Sequence, residues 1–173
     1  MHELILGGAR SGKSAYAEGR AEASGLRPVY LATATAGDAE MAARIARHRE
    51  RRGNAWQTVE EPLALGAALR THAVAGRCVL VDCLTLWLTN LLLLDDAARL
   101  AAEREALFAA LEAAGGPVLL VSNEVGQGIV PMDALSRRFV DAAGLLHQQL
   151  AAHCQSVTLV TAGLTLKLKG SPA

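Results

Sequence analysis

Eight residues near the start of the chain, Gly7-Gly8-Ala9-Arg10-Ser11-Gly12-Lys13-Ser14, follow the apolar run Leu4-Ile5-Leu6. They fit the pattern G-x-x-x-x-G-K-S, and the residues from Lys13 to about Ser24 are predicted to form a helix. Glycines let such a loop curl so that its backbone amides face phosphate oxygens, and the positive end of the following helix favours the same anion. The stretch therefore predicts a phosphate-binding P-loop, in which Lys13 holds the β- and γ-phosphates and Ser14 ligates Mg²⁺. The alternative is an ordinary strand-to-helix turn.

Strand and helix patterns alternate along the rest of the chain. The strand patterns lack polar alternation, which is typical of a mostly parallel sheet covered by helices on both faces. At the end, Leu164, Leu166 and Leu168 alternate with polar residues after the turn at Ala162-Gly163. This alternation predicts an antiparallel last strand, with lysines at positions 167 and 169 protecting the sheet edge. The predicted strands span residues 4–6, 29–32, 78–82, 118–122 and 157–160, and the predicted helices span 13–24, 38–53, 84–94, 96–114 and 133–153, with another after Pro62.

Composition narrows the classes of function. A chain of 173 residues that is 51% hydrophobic can bury a substantial core, and we expect one domain over residues 1–173. The formal net charge is zero and aromatic residues make up 3%, so the chain lacks the basic, aromatic-rich surface that is typical of nucleic-acid-binding proteins. We therefore expect small-molecule ligands and no nucleic-acid partner.

Cysteine usage and hydropathy indicate a compartment. The three cysteines have no C-x-x-C spacing, which argues against a disulfide framework and a zinc site and favours reduced thiols in a cytoplasm. The N-terminus lacks the pattern of a signal peptide. The most apolar run, residues 84–94, is shorter than the roughly 20 residues that span a bilayer. We expect a cytoplasmic protein without a membrane partner.

A carboxylate follows the predicted strand over residues 78–82. Asp82 ends the run Val79-Val81 and is suited to bind Mg²⁺, directly or through water. The alternative is that Asp82 caps the helix that begins near Leu84. The chain has no N-K-x-D guanine signature, which argues against a regulatory GTPase.

An arginine cluster surrounds one histidine in the predicted helix over residues 38–53. Five of the fourteen arginines lie in residues 44–52, which read RIARHRERR. Helical spacing places His48 at the border of the apolar stripe formed by Met41, Ala42 and Ile45. Because the chain as a whole is neutral, the cluster favours a small anionic ligand over a polymer. The alternative is a border histidine among solvated arginines.

Further stretches accompany the P-loop. With them, the sequence resembles the bifunctional adenosylcobinamide kinase/adenosylcobinamide-phosphate guanylyltransferase family of cobalamin biosynthesis over nearly the whole chain. The resemblance implies an α/β P-loop domain with a RecA-like, mainly parallel sheet and an antiparallel C-terminal strand. The matching stretches are Ala32-Thr33-Ala34, Met41-Ala42-Ala43-Arg44-Ile45 ahead of His48, Trp56 to Glu60, Thr89-Asn90-Leu91-Leu92, and Ser122-Asn123-Glu124-Val125-Gly126-Gln127-Gly128-Ile129-Val130-Pro131.

The resemblance implies two reactions. ATP or GTP phosphorylates the aminopropanol hydroxyl of adenosylcobinamide. GTP then transfers GMP to a histidine, which is His48 by position, and releases pyrophosphate. Cobinamide phosphate attacks this adduct to give adenosylcobinamide-GDP. Nearby arginines would disfavour the imidazolium form, which keeps the ring nucleophilic, and would neutralise charge on the phosphates.

The resemblance also implies contacts and an assembly. Ala32, Thr33 and Ala34 resemble a nucleotide-contacting turn, for which simple packing is the alternative. Glu60 matches a carboxylate near the guanosine, for which an exposed loop glutamate is the alternative. Asp82 stands where family members carry Glu, which leaves direct or water-mediated contact open. The implied assembly is a homotrimer, with the helix over 84–94 available for an interface. Arg49, Glu50, Arg51 and Arg52 are expected to flank the nucleotide.

Several positions and two rival functions stay open. Asn123 and Glu124 follow a strand, where a substrate loop is expected, but the sequence does not assign their roles. One rival function is a P-loop small-molecule kinase without guanylyl transfer, in which the arginines only cover phosphates. The other is a non-enzymatic, nucleotide-regulated binding module. Four further histidines are predicted to be structural or exposed: His2, His72, His147 and His153.

Overall fold

A seven-stranded sheet forms the centre of the molecule, with the strand order β3-β2-β4-β5-β1-β6-β7. In the computed structural model, the described residues are 1–34 and 55–171. All neighbouring strands are parallel except β6 and β7, which are antiparallel. The predicted mainly parallel sheet with an antiparallel last strand is therefore confirmed. The strands are β1 (His2–Gly7), β2 (Arg27–Ala32), β3 (Gln57–Glu60), β4 (Arg77–Asp82), β5 (Val118–Asn123), β6 (Ser156–Thr161) and β7 (Leu164–Lys169).

Helices cover both faces of this sheet. Successive side chains of a strand point to opposite faces, so an uninterrupted apolar strand requires cover on both. In β1, Leu4 packs with the larger buried cluster, whereas Ile5 packs with a second cluster that contains Ala17 and Ala21 of the first helix. The described helices are α1 (Lys13–Ala23), α2 (Leu65–His72), α3 (Leu84–Leu93), α4 (Ala97–Glu112) and α5 (Ala134–His153).

The alternative for Asp82, that it caps the helix beginning near Leu84, is wrong. The N-cap of α3 is Cys83, not Asp82, and Cys83 makes no side-chain capping bond. Most of α3 packs inside the chain, and its use in a subunit interface stays a prediction. Trp87, Leu88 and Leu91 are almost fully buried within the chain itself, and only its C-terminal end leaves large apolar side chains exposed.

Strand β3 is absent from the predicted set. Its sequence QTVE carries one large apolar residue, Val59, and it forms the edge of the sheet beside β2. A short edge strand has one neighbouring strand and buries few side chains. Its sequence therefore shows little hydrophobic pattern. The predicted helix over 38–53 lies outside the described residues.

On the last strand, Lys167 does not have the predicted role of protecting the sheet edge. Lys167 Nζ lies 3.1 Å from Glu3 Oε1 and also donates to Ser156 Oγ and Thr158 Oγ1. It therefore satisfies a buried carboxylate instead of standing in solvent at the edge. Large apolar side chains are exposed on β7 at Leu164, Leu166 and Leu168. Within the described ranges, no helix combines the length and apolarity needed to cross a membrane.

Candidate active site

The carboxyl ends of the parallel strands bring several predicted site residues into one row. Ala32 of β2 pairs with Glu60 of β3 on one side and with Asp82 of β4 on the other. Gly7, at the end of β1, pairs with Asn123 of β5. In open α/β sheets, ligands bind in the crevice outside this edge. The sheet thus gathers residues that are far apart in the sequence at the place where a ligand is expected.

The predicted P-loop connects β1 to α1. Gly7 ends the strand, residues 8–12 form the loop, and Lys13 begins the helix. Lys13 is buried, and its Nζ donates to the carbonyl oxygen of Gly8 over 3.0 Å. The ammonium group is therefore held against the loop, as a phosphate-binding lysine requires. Ser14 follows on the first turn of α1 and is half-buried.

Local geometry explains why two positions of the loop are occupied by glycine. A Cβ on Gly7 would lie 2.4 Å from the carbonyl oxygen of Val160 and 2.5 Å from Ser11 Oγ, so no side chain fits there. Gly12 has φ of 98° and packs against Gly163 of the β6–β7 turn. That left-handed conformation favours glycine. The Gly163 amide also donates to the Ser11 carbonyl oxygen over 2.8 Å, so the turn braces the loop.

Hydrogen bonds to the residue that follows β4 hold the turn after β2 in place. The buried Thr33 hydroxyl donates to the Cys83 carbonyl oxygen over 2.7 Å and accepts from the Cys83 amide over 2.9 Å. Asn90 Nδ2 donates to the carbonyl oxygens of Thr33 and Pro62. The motif around Asn90 therefore positions the residue-32–34 turn, where Ala32 is buried and Ala34 half-buried.

The residues present suit a magnesium ion. Mg²⁺ uses oxygen ligands, keeps several waters, and needs one or two protein groups beside phosphate oxygens. Ser14 supplies a hydroxyl and Asp82 a carboxylate, both half-buried. Among the residues that the structure describes, no three His, Cys, Asp or Glu side chains form a metal-binding group. The donor set is therefore the sparse, oxygen-only kind that fits magnesium and does not fit zinc.

A cavity beside the P-loop was not predicted. It has a volume of about 470 Å³ and lies between the loop, the segment after β5 and the β6–β7 hairpin. Glu124 and Gln127 line it, and so does Thr161. The signal for it was the polar, glycine-rich stretch after β5, whose roles the sequence left open.

One of the four further histidines adjoins this region. His147 of α5 is buried, as predicted for a structural histidine, and its Nε2 lies 2.7 Å from Ser122 Oγ. Its Nδ1 lies 4.0 Å from Glu124 Oε2. Burial lowers the pKa of His147, and the nearby Glu124 raises it to a smaller extent. The imidazole is therefore neutral near neutral pH.

Five predicted site residues cannot be placed. His48, Arg49, Glu50, Arg51 and Arg52 lie outside the described residues. Glu60 is exposed at the end of the edge strand.

Solved structures of other proteins have a fold similar to that of this chain. The crystal structure of the RadB recombinase matches with a TM-score of 0.55 and 16% identity, covering 91% of this chain and 73% of that one. The flagellar accessory protein FlaH from Methanocaldococcus jannaschii matches with a TM-score of 0.53 and 11% identity, covering 98% and 78%. These likenesses confirm the predicted RecA-like P-loop fold and carry nothing further.

Curated relatives are similar over almost their full length. The bifunctional adenosylcobalamin biosynthesis protein CobP of Pseudomonas aeruginosa is 62% identical over 172 residues, covering 99% of each chain. The bifunctional adenosylcobalamin biosynthesis protein CobU of Escherichia coli is 40% identical, covering 98% of this chain and 100% of that one. Residues 3–168 match the family described as cobinamide kinase / cobinamide phosphate guanyltransferase. The chain belongs to the cobinamide kinase / cobinamide phosphate guanyltransferase family.

Proposed function

We propose that this chain, as one domain over residues 1–173, carries out two consecutive steps of cobalamin biosynthesis. It phosphorylates adenosylcobinamide with ATP or GTP, and it then transfers GMP from GTP to adenosylcobinamide phosphate. The products are adenosylcobinamide-GDP and pyrophosphate. The observation that carries this proposal is the full-length similarity to a bifunctional relative at 62% identity, in a chain whose P-loop joins β1 to α1.

The P-loop is proposed to bind the triphosphate. Its amides at residues 7–12 surround the phosphates, and Lys13 neutralises charge on the β- and γ-oxygens. The Lys13 ammonium already lies inside the loop, 3.0 Å from the Gly8 carbonyl oxygen. The ammonium group is therefore already positioned beside the loop backbone that is proposed to surround the phosphates.

Ser14 and Asp82 are proposed to hold Mg²⁺. The ion would supply positive charge that offsets the phosphates. The two residues contribute the oxygen donors: the Ser14 hydroxyl from the first turn of α1 and the Asp82 carboxylate from the end of β4.

The guanosine is proposed to lie toward the β2–β3–β4 side of the loop. Ala32, Glu60 and Asp82 share one row of the sheet there, and the Thr33 hydroxyl locks the turn to β4. The Glu60 carboxylate is suited to accept hydrogens from the base or the ribose. Arg49, Glu50, Arg51 and Arg52 are proposed to flank the nucleotide on the strength of the family resemblance alone.

His48 is proposed to carry the GMP. Its imidazole nitrogen attacks the α-phosphorus, the bond to the bridging oxygen breaks, and pyrophosphate leaves with that electron pair. The phosphate of the corrinoid then attacks the same phosphorus and releases the histidine. This assignment rests on the position of His48 in the family pattern.

We also make a proposal for the assembly and the location of the enzyme. We propose a homotrimer, the assembly that the family resemblance implies, which light scattering after size-exclusion chromatography measures directly. We also propose a cytoplasmic location, since Cys78, Cys83 and Cys154 are all free thiols.

The test is turnover with the purified chain. Adenosylcobinamide and ATP or GTP should give the phosphate, and further GTP should convert it to adenosylcobinamide-GDP with release of pyrophosphate. Phosphorylation without the second product would favour the kinase that lacks guanylyl transfer. Absence of any corrinoid product would contradict both enzymatic functions and favour a binding module.

A further inference from the structure

The cavity beside the P-loop shares residues 8–11 with the proposed triphosphate site but contains none of the strand-end residues proposed to lie near the guanosine and the metal ion. Those residues are Ala32, Glu60 and Asp82, on the β2–β3–β4 side of the loop. The cavity lies beside the P-loop, between the segment after β5 and the β6–β7 hairpin, so a second ligand can approach the same phosphates from there. Its lining consists of Gly8, Ala9, Arg10 and Ser11 from the loop, Glu124 and Gln127 from the segment after β5, and Leu159, Thr161 and Ala162 from the hairpin.

A backbone hydrogen bond joins Glu124 to the first residue of the P-loop. The Glu124 amide donates to the carbonyl oxygen of Gly7 over 3.1 Å, which continues the pairing of β5 with β1 one residue past the end of β5. The carboxylate is therefore carried by rigid elements and not by the tip of a long loop. Groups held this way keep the geometry that catalysis needs.

The two carboxylate oxygens of Glu124 have different surroundings. Oε1 accepts from the Gly126 amide over 2.7 Å, which sets the orientation of the group. Oε2 lies 4.0 Å from His147 Nδ1, beyond hydrogen-bond distance. The side chain remains 25% exposed, so it can meet a ligand in the cavity.

The nearby histidine does not neutralise this carboxylate. Burial lowers the pKa of His147, and its Nε2 is engaged with the Ser122 hydroxyl at 2.7 Å. At 4.0 Å the imidazole makes no hydrogen bond to Glu124, so this histidine does not engage Oε2. The cationic group that shares the cavity lining is Arg10.

We propose that this cavity receives the hydroxyl-bearing arm of the corrinoid acceptor, and that Glu124 is the general base of the phosphorylation step. The proposal rests on the proposed function. Pockets of about 300–1,000 Å³ hold drug-sized ligands, so a cavity of about 470 Å³ takes one arm and leaves the macrocycle outside. The arm offers an alcohol and an amide, which suit the carboxylate of Glu124, the amide of Gln127 and the hydroxyl of Thr161.

The proton and electron balance of the step is simple. The alcohol oxygen forms a bond to the γ-phosphorus, and the bond from that phosphorus to the β–γ bridging oxygen breaks. The nucleoside diphosphate leaves with the electron pair of the broken bond. The alcohol proton passes to Glu124 and is later released to solvent.

Only the first of the two reactions needs this base. A hydroxyl must lose a proton when it is phosphorylated. The acceptor of the second reaction is a phosphate that is already ionised near neutral pH. Loss of the Glu124 carboxylate should therefore slow phosphorylation and leave GMP transfer unchanged. Loss of a residue with a merely structural role would affect both reactions.

The experiment replaces Glu124 with glutamine, which keeps the size of the side chain and an oxygen for the Gly126 amide. For Glu124→Gln we expect kcat for cobinamide phosphorylation to fall about 100-fold or more, with KM for cobinamide changed by less than about threefold. GMP transfer to cobinamide phosphate supplied directly should be unchanged. Glu124→Asp, which restores a shorter carboxylate, should recover part of kcat and keeps the test open if the glutamine variant does not fold. Glu105→Gln, on the exposed side of α4, is the matched control and should match wild type in both assays.

The outcomes are distinct. Unchanged kcat for phosphorylation, equal loss of both activities, or a rise in KM alone would each overturn the assignment of Glu124 as base. If the wild-type chain itself fails to phosphorylate cobinamide, the proposed function has failed and not this inference.

Discussion

The ammonium group of Lys13 lies against the P-loop, where the phosphates are proposed to bind. It is buried and donates to the Gly8 carbonyl oxygen, so its position is set before any ligand arrives. Lys13→Ala removes the charge without filling the loop. We expect it to abolish cobinamide phosphorylation and to weaken triphosphate binding by about tenfold or more, since a charge-assisted hydrogen bond contributes about 1.5–3 kcal/mol.

Calorimetric titration with a non-hydrolysable triphosphate and turnover assays measure the two effects. Lys169→Ala is the control, because Lys169 bonds to carbonyl oxygens at the end of α5 and stands at the far end of the hairpin. Undiminished kinase activity in Lys13→Ala would mean that the loop does not bind the transferred phosphate.

Helices α2 and α4 pack closely against each other at Gly66. A Cβ at this position would lie 2.5 Å from the carbonyl carbon and oxygen of Ala106, so the backbones would have to separate. Gly66→Ala should therefore lower the free energy of unfolding by about 1–3 kcal/mol. Its nucleotide affinity should stay close to that of wild type, because the contact lies away from the P-loop.

Gly144 in α5 is the matched control for that substitution. A Cβ there would meet nothing within 4 Å, and alanine is the better helix former. Gly144→Ala should raise the free energy of unfolding by up to about 1 kcal/mol. Urea titrations of the two variants compare them directly, and equal effects in the two would contradict the close helix contact.

The elements that sequence predicts well are those with a strong local signal. The strands of the sheet centre read as unbroken apolar runs because both of their faces are buried, and the P-loop carries its own turn chemistry. Strand β3 lacks such a signal, since one partner strand and Val59 suffice to hold it. The pairing of Lys167 with Glu3 joins residues from the two ends of the chain, so no local pattern indicates it.

The site was predictable to the extent that it follows from strand ends. Ala32 and Asp82 meet because parallel strands end at one edge, which the strand pattern implies, whereas Glu60 ends β3, a strand that the pattern does not predict. The Glu124 cavity was not predictable, because it depends on which strands are neighbours. The order β5-β1-β6 places the segment after β5 and the β6–β7 hairpin on either side of the P-loop, and order is a property of the folded sheet.

The stability of the whole molecule should depend on pH through its buried histidines. Burial lowers the pKa of His2 and of His147 below the ordinary value of 6.5. His2 is held neutral by geometry as well, since Nδ1 accepts from the Val118 amide and Nε2 donates to the Leu111 carbonyl oxygen. Above pH 6.5 both states are neutral, so this contribution is complete. As pH falls below 6.5, the unfolded chain binds protons that the folded chain refuses, and stability falls.

We expect the free energy of unfolding to drop by about 1–3 kcal/mol between pH 7 and pH 5. Urea titrations at intervals of half a pH unit measure it. His2→Gln should flatten part of the slope while lowering stability at pH 7. A slope of the opposite sign, with stability rising on acidification, would contradict the burial of these imidazoles.

The central claim is that one chain performs both reactions through a GMP adduct on His48. A guanylylated histidine is a phosphoramidate, so its P–N bond should be labile in acid and stable in alkali. Wild-type protein incubated with α-labelled GTP and Mg²⁺ should retain label through denaturing electrophoresis, and peptide mapping should place it on His48. His48→Ala and His48→Asn should carry no label and should still phosphorylate cobinamide, because the P-loop step needs no covalent intermediate. Acid-labile GMP on either variant, or none on wild type, would contradict the claim and leave the chain a kinase whose arginines only cover phosphates.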